Sequence, residues 1–447
     1  MHQRSERLIM SSPMFSSAMN EVESAARRSR EASFRLQGIE LEKKNAALDA
    51  IIDALTDDRD RIVDANLQDL ERAAKNGLAK PLLKRLRYDD QKLEESIESI
   101  RSLIDQPDPI GVVLKRTELD EGLTLEKVSC PIGVIGIIFE SRPDALLQIS
   151  TLCIKSGNAV LLKGGSEAEL TNRVLADSIN DAIVGVDRRF EDAVQLLSTR
   201  EEVIKLLELD SLVDLVIPRG SNELVKSIKE ATRIPVLGHA DGICHVYVHE
   251  DADPEMAARV CFDSKCQYPA VCNAMETMLV HQAIATRFLP KMAEEFSKAG
   301  VELKGDEDTM KIIGAKPATE EDWTAEYNDL MLAIRIVSSL DQAIEHINSY
   351  GSHHTDAIVT QDEKSATKFM DEVDSSSVLW NCSTRFADGY RYGLGAEVGI
   401  STNKTHARGP VGLEGLVIYK YRLSGRGQIV AAYSGENARK FTHRQLS

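Results

Sequence analysis

Short apolar runs that alternate with amphipathic stretches constrain the fold of this chain more than any other feature of its sequence. The apolar runs after Pro131 span residues 134–139, 159–162, 193–197, 213–217 and 235–237. The amphipathic stretches between them span residues 145–155, 167–183 and 221–231. Such alternation is typical of βαβ units, and it predicts a parallel sheet covered by helices.

Two further regions lie on either side of this alternating segment. Residues 17–105 are rich in Glu, Lys, Arg, Leu and Ala, with apolar residues three and four positions apart, which predicts an N-terminal helical layer. A second α/β region follows residue 240, and its expected strands are 244–249, 276–280, 332–337, 356–359 and 378–381. The chain is therefore predicted to be an α/β protein with more than one domain.

The composition excludes two classes of protein. Of the 447 residues, 43% are hydrophobic and 28% are charged, and no apolar stretch is long enough to span a bilayer. The net charge of −17 disfavours binding to nucleic acid, so a phosphate-bearing ligand has to be met by local cations.

The cysteines bear on the cellular compartment. The seven thiols are scattered and never spaced C-x-x-C, which argues against a metal site or a disulfide framework and predicts a reducing, cytoplasmic location. Residues 1–30 mix arginines with glutamates and lack the apolar region of a secretory signal. A targeting segment and an alternative start at Met10 or Met14 are both open at this point.

Cys272 is the candidate nucleophile. It stands in the run 265–274, where small and polar residues surround a thiol in a loop that contains Pro269. A thiolate is a strong nucleophile and a good leaving group, so an exposed loop cysteine suits acyl transfer. Because free cysteines are also among the most buried residues, the run by itself leaves a packing interpretation open.

Two glycine-bearing turns are candidate phosphate sites. No strand runs into a G-x-G-x-x-G fingerprint, but the turns 163–166 and 219–222 each follow a predicted strand. Helix amino ends there would offer N–H groups to a phosphate, and Lys163 and Arg219 would add positive charge. Ordinary tight turns with surface cations explain the same residues.

Five motifs carry a resemblance to a known family. They are the segments 131–144 (PIGVIGIIFESRPD), 159–165 (AVLLKGG), 268–274 (YPAVCNA), 393–402 (GLGAEVGIST) and 406–410 (HARGP). The chain resembles the aldehyde dehydrogenase superfamily, and within it the reductases that act on an acyl phosphate of glutamate. The resemblance implies an aldehyde dehydrogenase-like fold with a Rossmann-type cofactor domain in residues 1–240, a catalytic domain in 241–421 and an oligomerisation tail in 422–447. The strands of an oligomerisation flap would lie in 107–128.

The same resemblance implies an activity, the second step of proline synthesis from glutamate. L-Glutamyl 5-phosphate would be reduced by NADPH to glutamate 5-semialdehyde and phosphate. The enzyme would be a homo-oligomer, and a glutamate 5-kinase is a candidate partner that would supply the acyl phosphate. Cys272 would form a thioester, and its backbone N–H would stabilise the oxyanion.

Two departures from the superfamily pattern are interpretable. Oxidising members carry a Glu that activates the deacylating water, and the matching position here is Val236, in the segment 236–239. A thioester without that base is protected from hydrolysis. His239 is the nearest titratable group and could act as a substitute base, although packing or contact with substrate is the favoured role. At the position where the superfamily carries an Asn that stabilises the oxyanion, this chain has Arg142. An arginine suits a doubly charged acyl phosphate, and Asn273 is then an alternative donor to the oxyanion.

The resemblance also assigns the ligand contacts. The cofactor-binding residues would be Lys163, Ser166, Gly220, Ser221, Gly238 and Glu326. Ser166 stands where NAD-preferring relatives carry Glu, so a 2′-phosphate is admitted and NADPH is preferred. The substrate-binding residues would be Ser141, Ser383, Thr384, Arg385 and Arg408, because arginine grips a carboxylate with two hydrogen bonds.

Two rival interpretations belong to other functional classes. The first is a cysteine hydrolase or acyltransferase that uses Cys272 without a nicotinamide cofactor. The second is a redox-responsive oligomeric protein that keeps the fold without catalysis. Binding of NADPH and the effect of Cys272→Ser on function separate these from the reductase.

Overall fold

The chain divides in space into two compact units. The computed structural model describes residues 13–197, 199–238 and 241–446, so Met10 and His239 lie outside the described residues. Unit 1 comprises residues 1–237, 395–398 and 411–447, and unit 2 comprises residues 238–394 and 399–410. Residues 411–421, which the sequence assigned to the catalytic domain, thus lie with unit 1. No helix within the described ranges has the length and apolar character needed to cross a membrane.

Unit 1 is built on a parallel sheet of four strands in the order β5-β4-β3-β6. The strands are β3 (Val134–Phe139), β4 (Ala159–Lys163), β5 (Val194–Leu197) and β6 (Leu215–Arg219). The helices that connect and follow them are α6 (Pro143–Lys155), α7 (Glu169–Val186), α8 (Arg200–Leu206) and α9 (Asn222–Ala231). Strands β3 and β4 are buried along their whole length, as their unbroken apolar runs predict.

The predicted strand 235–237 is wrong. Val236 forms only an isolated bridge to Val216, with hydrogen bonds from Val216 N to Pro235 O and from Leu237 N to Val216 O. Pro235 has no N–H to donate, so the pairing cannot continue towards the amino end of this segment.

Five helices precede the sheet, as the periodicity of residues 17–105 predicts. They are α1 (Pro13–Leu36), α2 (Leu41–Asp57), α3 (Arg59–Lys75), α4 (Lys80–Leu86) and α5 (Asp90–Ile104). Helices α2 and α3 pack on α7, and α1 packs on β4 and α8. The apolar stripe of α2 is fully buried at Leu48, Ile51 and Leu55.

A separate antiparallel sheet in unit 1 joins the middle of the chain to its carboxyl end. Its strands are β1 (Val113–Asp120), β2 (Leu123–Pro131), β16 (Val417–Ser424) and β17 (Arg444–Leu446), in the order β16-β2-β1-β17. Strand β16 pairs with β2 over eight residues, from Val417 opposite Pro131 to Ser424 opposite Thr124. We call this four-stranded sheet the flap sheet.

Unit 2 contains a parallel sheet of seven strands in the order β10-β9-β11-β8-β7-β12-β13. The strands are β7 (Cys244–Val248), β8 (Met275–His281), β9 (Glu302–Gly305), β10 (Lys316–Pro317), β11 (Met331–Val337), β12 (Thr355–Val359) and β13 (Ser377–Trp380). The helices are α10 (Pro254–Cys266), α11 (Gln282–Lys298), α12 (Glu307–Ile313), α13 (Leu340–Tyr350) and α14 (Glu363–Glu372). Two short strands, β14 (Ile400–Ser401) and β15 (Gly409–Pro410), form an antiparallel pair.

Candidate active site

Cys272 lies in a tight turn between helix α10 and strand β8. The N–H of Ala274 donates to Val271 O at 2.9 Å, which places Cys272 and Asn273 at the two central positions of the turn. Cys272 is half-buried, as are Cys130, Cys266 and Cys382, whereas Cys153, Cys244 and Cys261 are buried. A loop thiol that remains accessible is suited to nucleophilic attack, and this geometry favours the catalytic interpretation over the packing one.

Residues at the start of strand β7 and just before it support the Cys272 turn. The thiol of Cys244 donates to Cys272 O at 3.2 Å. Gly242 packs so closely that a Cβ added there would lie 2.3 Å from Cys272 O and 2.5 Å from Cys272 Cα. The turn therefore rests on a backbone surface that has no room for a side chain at position 242.

Asn273 connects the turn to a second loop. Its Nδ2 donates to Ala387 O at 2.8 Å, and its Oδ1 is buried without a hydrogen-bond partner among the described residues. One N–H of the amide is thus engaged with the loop 383–387. The predicted role of Asn273 as an oxyanion donor would have to use the second N–H of the same amide.

The loop 383–387 holds the predicted substrate cations and hydroxyls against α10. Ser264 Oγ donates to Ser383 Oγ at 3.2 Å and accepts the Thr384 N–H at 3.2 Å. Arg385 Nε donates to Gln267 Oε1 at 2.9 Å, and its side chain is only 8% exposed. Burial lowers the pKa of the Arg385 guanidinium, with a smaller effect of Arg391 in the same direction, while Cys272 opposes the shift. The structure therefore brings Ser383, Thr384 and Arg385 together with the Cys272 turn.

Arg408 lies against a different partner. Its Nη2 is 3.0 Å from Asp374 Oδ1 and donates to Asp374 O at 3.1 Å. Lys404 shares the same carboxylate at 2.6 Å. Asp374 thus engages Nη2 of the Arg408 guanidinium, while Nε is buried without a hydrogen-bond partner among the described residues.

Glu326 lies in the segment 325–330 between a short 3₁₀ helix and β11, and it is half-buried. Two residues later, the Asn328 N–H donates to Glu276 Oε1 at 3.4 Å. Glu276 also forms an ion pair of 2.6 Å with Lys265, and neither side chain has exposed surface. Sequence reasoning missed this pair, although a carboxylate within the apolar run 275–280 is the signal that reveals it.

In unit 1, the predicted phosphate site is the amino end of helix α9. Ser221 caps the helix, and its own N–H donates to Glu140 Oε2 at 3.0 Å. A Cβ at Gly220 would lie 2.5 Å from that carboxylate oxygen. Because β3 and β6 neighbour each other in the order β5-β4-β3-β6, their carboxyl ends form the topological switch point where open α/β sheets bind ligands.

The residues that follow β4 form the other half of the predicted cofactor site. Lys163 is 8% exposed, and its ammonium donates to Gly164 O. Burial lowers the pKa of the Lys163 ammonium, and Glu167 opposes this effect. Ser166 begins a 3₁₀ turn, and its carbonyl accepts from Arg72 Nη2 at 3.1 Å. Gly238, the remaining predicted cofactor contact in this part of the chain, is buried at the start of unit 2.

Ser141 and Arg142 lie at the start of helix α6. Ser141 has a left-handed backbone with a φ of 46°, and its N–H and hydroxyl both donate to Glu167 Oε1 at 2.7 Å. Arg142 is the half-buried residue that precedes the first helical residue, Pro143. Glu140 and Glu167 were missed by sequence reasoning, because nothing local indicates that their carboxylates fold back onto neighbouring N–H groups.

Comparisons with known proteins identify the family. A model of the aldehyde dehydrogenase family matches residues 6–315. The gamma-glutamyl phosphate reductase of Pelotomaculum thermopropionicum is 58% identical over 431 residues, covering 96% of this chain and 98% of that protein. The one from Methanosarcina mazei is 54% identical over 437 residues, covering 96% and 98%. The chain belongs to the gamma-glutamyl phosphate reductase family.

The gamma-glutamyl phosphate reductase family also accounts for the fold. The crystal structure of the Thermotoga maritima gamma-glutamyl phosphate reductase matches with a TM-score of 0.89 at 39% identity, over 92% of this chain and 99% of that chain. An acetylating aldehyde dehydrogenase from Geobacillus thermoglucosidasius, at 16% identity and a TM-score of 0.63, shares the fold alone. The resemblance predicted from the five motifs is confirmed, and the chain is an oxidoreductase of the aldehyde dehydrogenase family.

Proposed function

We propose that this chain reduces L-glutamyl 5-phosphate to L-glutamate 5-semialdehyde and phosphate with NADPH, through a thioester on Cys272. The observation that carries the proposal is the Cys272 turn, which Asn273 and Gln267 connect to a loop with a buried Arg385. A thiol beside a guanidinium is suited to a substrate that is an acyl donor at one end and a carboxylate at the other.

The chemistry begins at Cys272. Its sulfur would attack the acyl carbon, the carbon–oxygen bond to phosphate would break, and phosphate would leave with the electron pair. The Cys272 N–H would stabilise the negative oxygen in this step and again when the thioester is reduced. Val236 stands where oxidising relatives carry a base, so no carboxylate at that position activates water against the thioester.

The α9 amino end and the β4 turn have features that fit a dinucleotide. A Cβ at Gly220 would lie 2.5 Å from Glu140 Oε2, so only glycine lets this carboxylate approach the backbone, and the Glu140 carboxylate on the Ser221 N–H marks a position that favours an anion. Ser221 and Gly220 would hold the pyrophosphate, Lys163 and Ser166 the 2′-phosphate, and Gly238 and Glu326 the nicotinamide side. When bound, NADPH supplies the hydride that converts the thioester to the aldehyde.

The substrate's charges would be distributed over several side chains. Arg385, Ser383 and Thr384 would bind the α-carboxylate of the glutamyl group, and Ser141 and Arg142 would meet the phosphate. Arg408 would join them through a guanidinium N–H other than those of Nη2, which Asp374 engages. The proposed residues thus predict a site that selects acyl phosphates that carry an α-carboxylate.

The quaternary structure and location are part of the same proposal. The flap sheet exposes apolar side chains, including Tyr421 at 62% and Leu423 at 58%, which a second copy of the chain would cover. All seven cysteines are free thiols, which supports a reducing compartment such as the cytoplasm. A glutamate 5-kinase would supply the labile acyl phosphate.

The decisive experiment runs the reaction backwards. The purified protein should oxidise glutamate semialdehyde only when phosphate and NADP are both supplied, because the thioester has to be released by phosphate. Cys272→Ser protein serves as the control for background oxidation. Equal rates with and without phosphate would instead identify a hydrolysing dehydrogenase.

A further inference from the structure

Two opposite charges are buried at the base of the Cys272 loop. Lys265 is the penultimate residue of α10 and Glu276 is the second residue of β8, so the ion pair joins the two ends of the segment 267–274. The Lys265 Nζ and Glu276 Oε2 atoms are 2.6 Å apart, and both side chains are 0% exposed. Every displacement of α10 relative to β8 would therefore have to stretch or break this contact.

The same carboxylate reaches the segment that carries Glu326. Its Oε1 accepts the Asn328 N–H at 3.4 Å, and Asn328 adopts a left-handed φ of 54°. The ammonium of Lys265 lies 5.9 Å from the ring centre of Tyr327, the residue between Glu326 and Asn328. The pair thus lies against the two residues that follow Glu326 in the chain.

Stability alone does not account for such a pair. Removing two charges from water costs several kcal/mol per ion, and well-packed apolar residues of similar volume often serve stability equally well or better. What an apolar pair cannot do is accept the Asn328 N–H and fix two segments at a defined distance. The contacts therefore point to a role in geometry.

We propose that Lys265 and Glu276 form a positioning clamp that holds the Cys272 turn in register with the Glu326 segment. This inference rests on the proposed function, because it takes Cys272 as the nucleophile and Glu326 as a cofactor contact. Neither residue of the clamp touches the reacting atoms. Each acts through the backbone that it holds.

The test replaces the pair by apolar residues of similar volume. The double variant Lys265→Met/Glu276→Leu is expected to keep the wild-type melting temperature, since no unpaired charge remains. Its kcat should fall by about 100-fold, the cost of a displacement of about 1 Å at the reacting groups. The KM for NADPH should rise and alkylation of Cys272 by iodoacetamide should slow. The matched control Glu255→Gln/Lys291→Gln neutralises an exposed ion pair between α10 and α11 and should change none of these quantities.

A second variant separates the two contacts of Glu276. Lys265→Met/Glu276→Gln retains an oxygen that accepts the Asn328 N–H, so the KM for NADPH should return towards the wild-type value while kcat stays low. A purely structural pair would give no such split between KM and kcat.

Glu276→Asp keeps both charges and shortens the reach by one methylene, which covers the case in which the double variants do not fold. The kcat of Glu276→Asp should fall even though both charges of the pair remain. Wild-type kinetics in Glu276→Asp, or in a folded Lys265→Met/Glu276→Leu, overturn the clamp. Failure of the proposed function has a different signature, because the wild-type protein would then lack phosphate-dependent oxidation.

Discussion

At the residue scale, the position of Cys272 depends on a neighbour that has no side chain. The Gly242 backbone supports the turn, and a methyl group there would have to displace the Cys272 backbone itself. Core packing transmits such a displacement, because neighbouring groups have no free volume into which they can relax.

Gly242→Ala should therefore lower kcat by about 100-fold or more while the protein stays folded. Steady-state kinetics and circular dichroism measure the two effects. Gly185→Ala is the control, since a Cβ there meets nothing within 4 Å and a helical alanine is favoured by about 0.5–1 kcal/mol over glycine. Wild-type activity in Gly242→Ala would show that the close packing of Gly242 does not position the Cys272 turn.

Glu276 also makes stability depend on pH. Burial raises the pKa of its carboxyl from 4.5 to about 7, although Lys265 alone would lower it. Because the folded state binds this proton more tightly than the unfolded state does, the stabilisation is complete below pH 4.5 and is lost as the pH rises through about 7.

Urea unfolding midpoints should accordingly fall between about pH 5 and pH 8, with part of the fall absent in Glu276→Gln. The difference between the two curves isolates Glu276 from other titrating groups. Parallel curves would mean that the carboxyl stays charged across this range because Lys265 fully compensates its burial.

Substitution of Val236 tests whether the missing base protects the thioester from hydrolysis. Val236→Glu is expected to restore a general base, which contributes about 100-fold or more to hydrolysis where it is well positioned. The measurement is consumption of the acyl phosphate without NADPH. Val236→Gln is the matched control, because it has the size of Glu without the basic carboxylate, and equal rates in the two variants would contradict the base hypothesis.

At the element scale, the amino end of helix α9 can bind one anion at a time. In this structure that anion is the Glu140 carboxylate on the Ser221 N–H. Cofactor pyrophosphate at the same N–H groups would have to displace it. If the cofactor binds there as proposed, the Glu140 carboxylate would therefore lower its affinity.

Glu140→Gln should lower the KM for NADPH by about two- to fivefold, which corresponds to the 0.3–1 kcal/mol of a charge at a helix terminus. Titration of NADPH fluorescence checks the change directly. Glu223→Gln, an exposed carboxylate in the first turn of the same helix, is the control. An increase in KM for Glu140→Gln would show that the carboxylate supports the cofactor instead of competing with it.

At the scale of the whole molecule, the exposed apolar side chains of the flap sheet predict that copies of the chain associate into an oligomer. Tyr421→Glu combined with Leu423→Lys places charges on two exposed apolar positions of β16, and we expect the oligomer to dissociate. Light scattering after size exclusion gives the mass. Tyr390→Glu alters a more exposed aromatic residue in unit 2, at 79%, and should leave the mass unchanged. A monomeric wild-type protein, or an unchanged mass in the flap variant, would contradict the proposal.

The elements of both units were largely predictable, because each depends on local periodicity. Strands β3 and β4 are unbroken apolar runs, and a buried parallel strand needs no other pattern. Strand β9 was missed, since Leu303 is its one apolar residue and no alternation marks it. The false strand at Pro235 came from an apolar run whose first residue cannot donate to a sheet.

Sequence patterns predicted the fold class and the family, and they single out Cys272 as the proposed nucleophile. These predictions follow from patterns that local chemistry imposes: periods of two and 3.6 residues, turn glycines, and a thiol in a long motif. Which charges meet depends on the tertiary structure. It put Arg385 beside the Cys272 turn, tied Arg408 to Asp374, folded Glu140 onto the α9 amino end and buried Lys265 against Glu276. The physical reason is that electrostatic partners are selected by distance in space, and positions far apart in sequence carry no local signal of that distance.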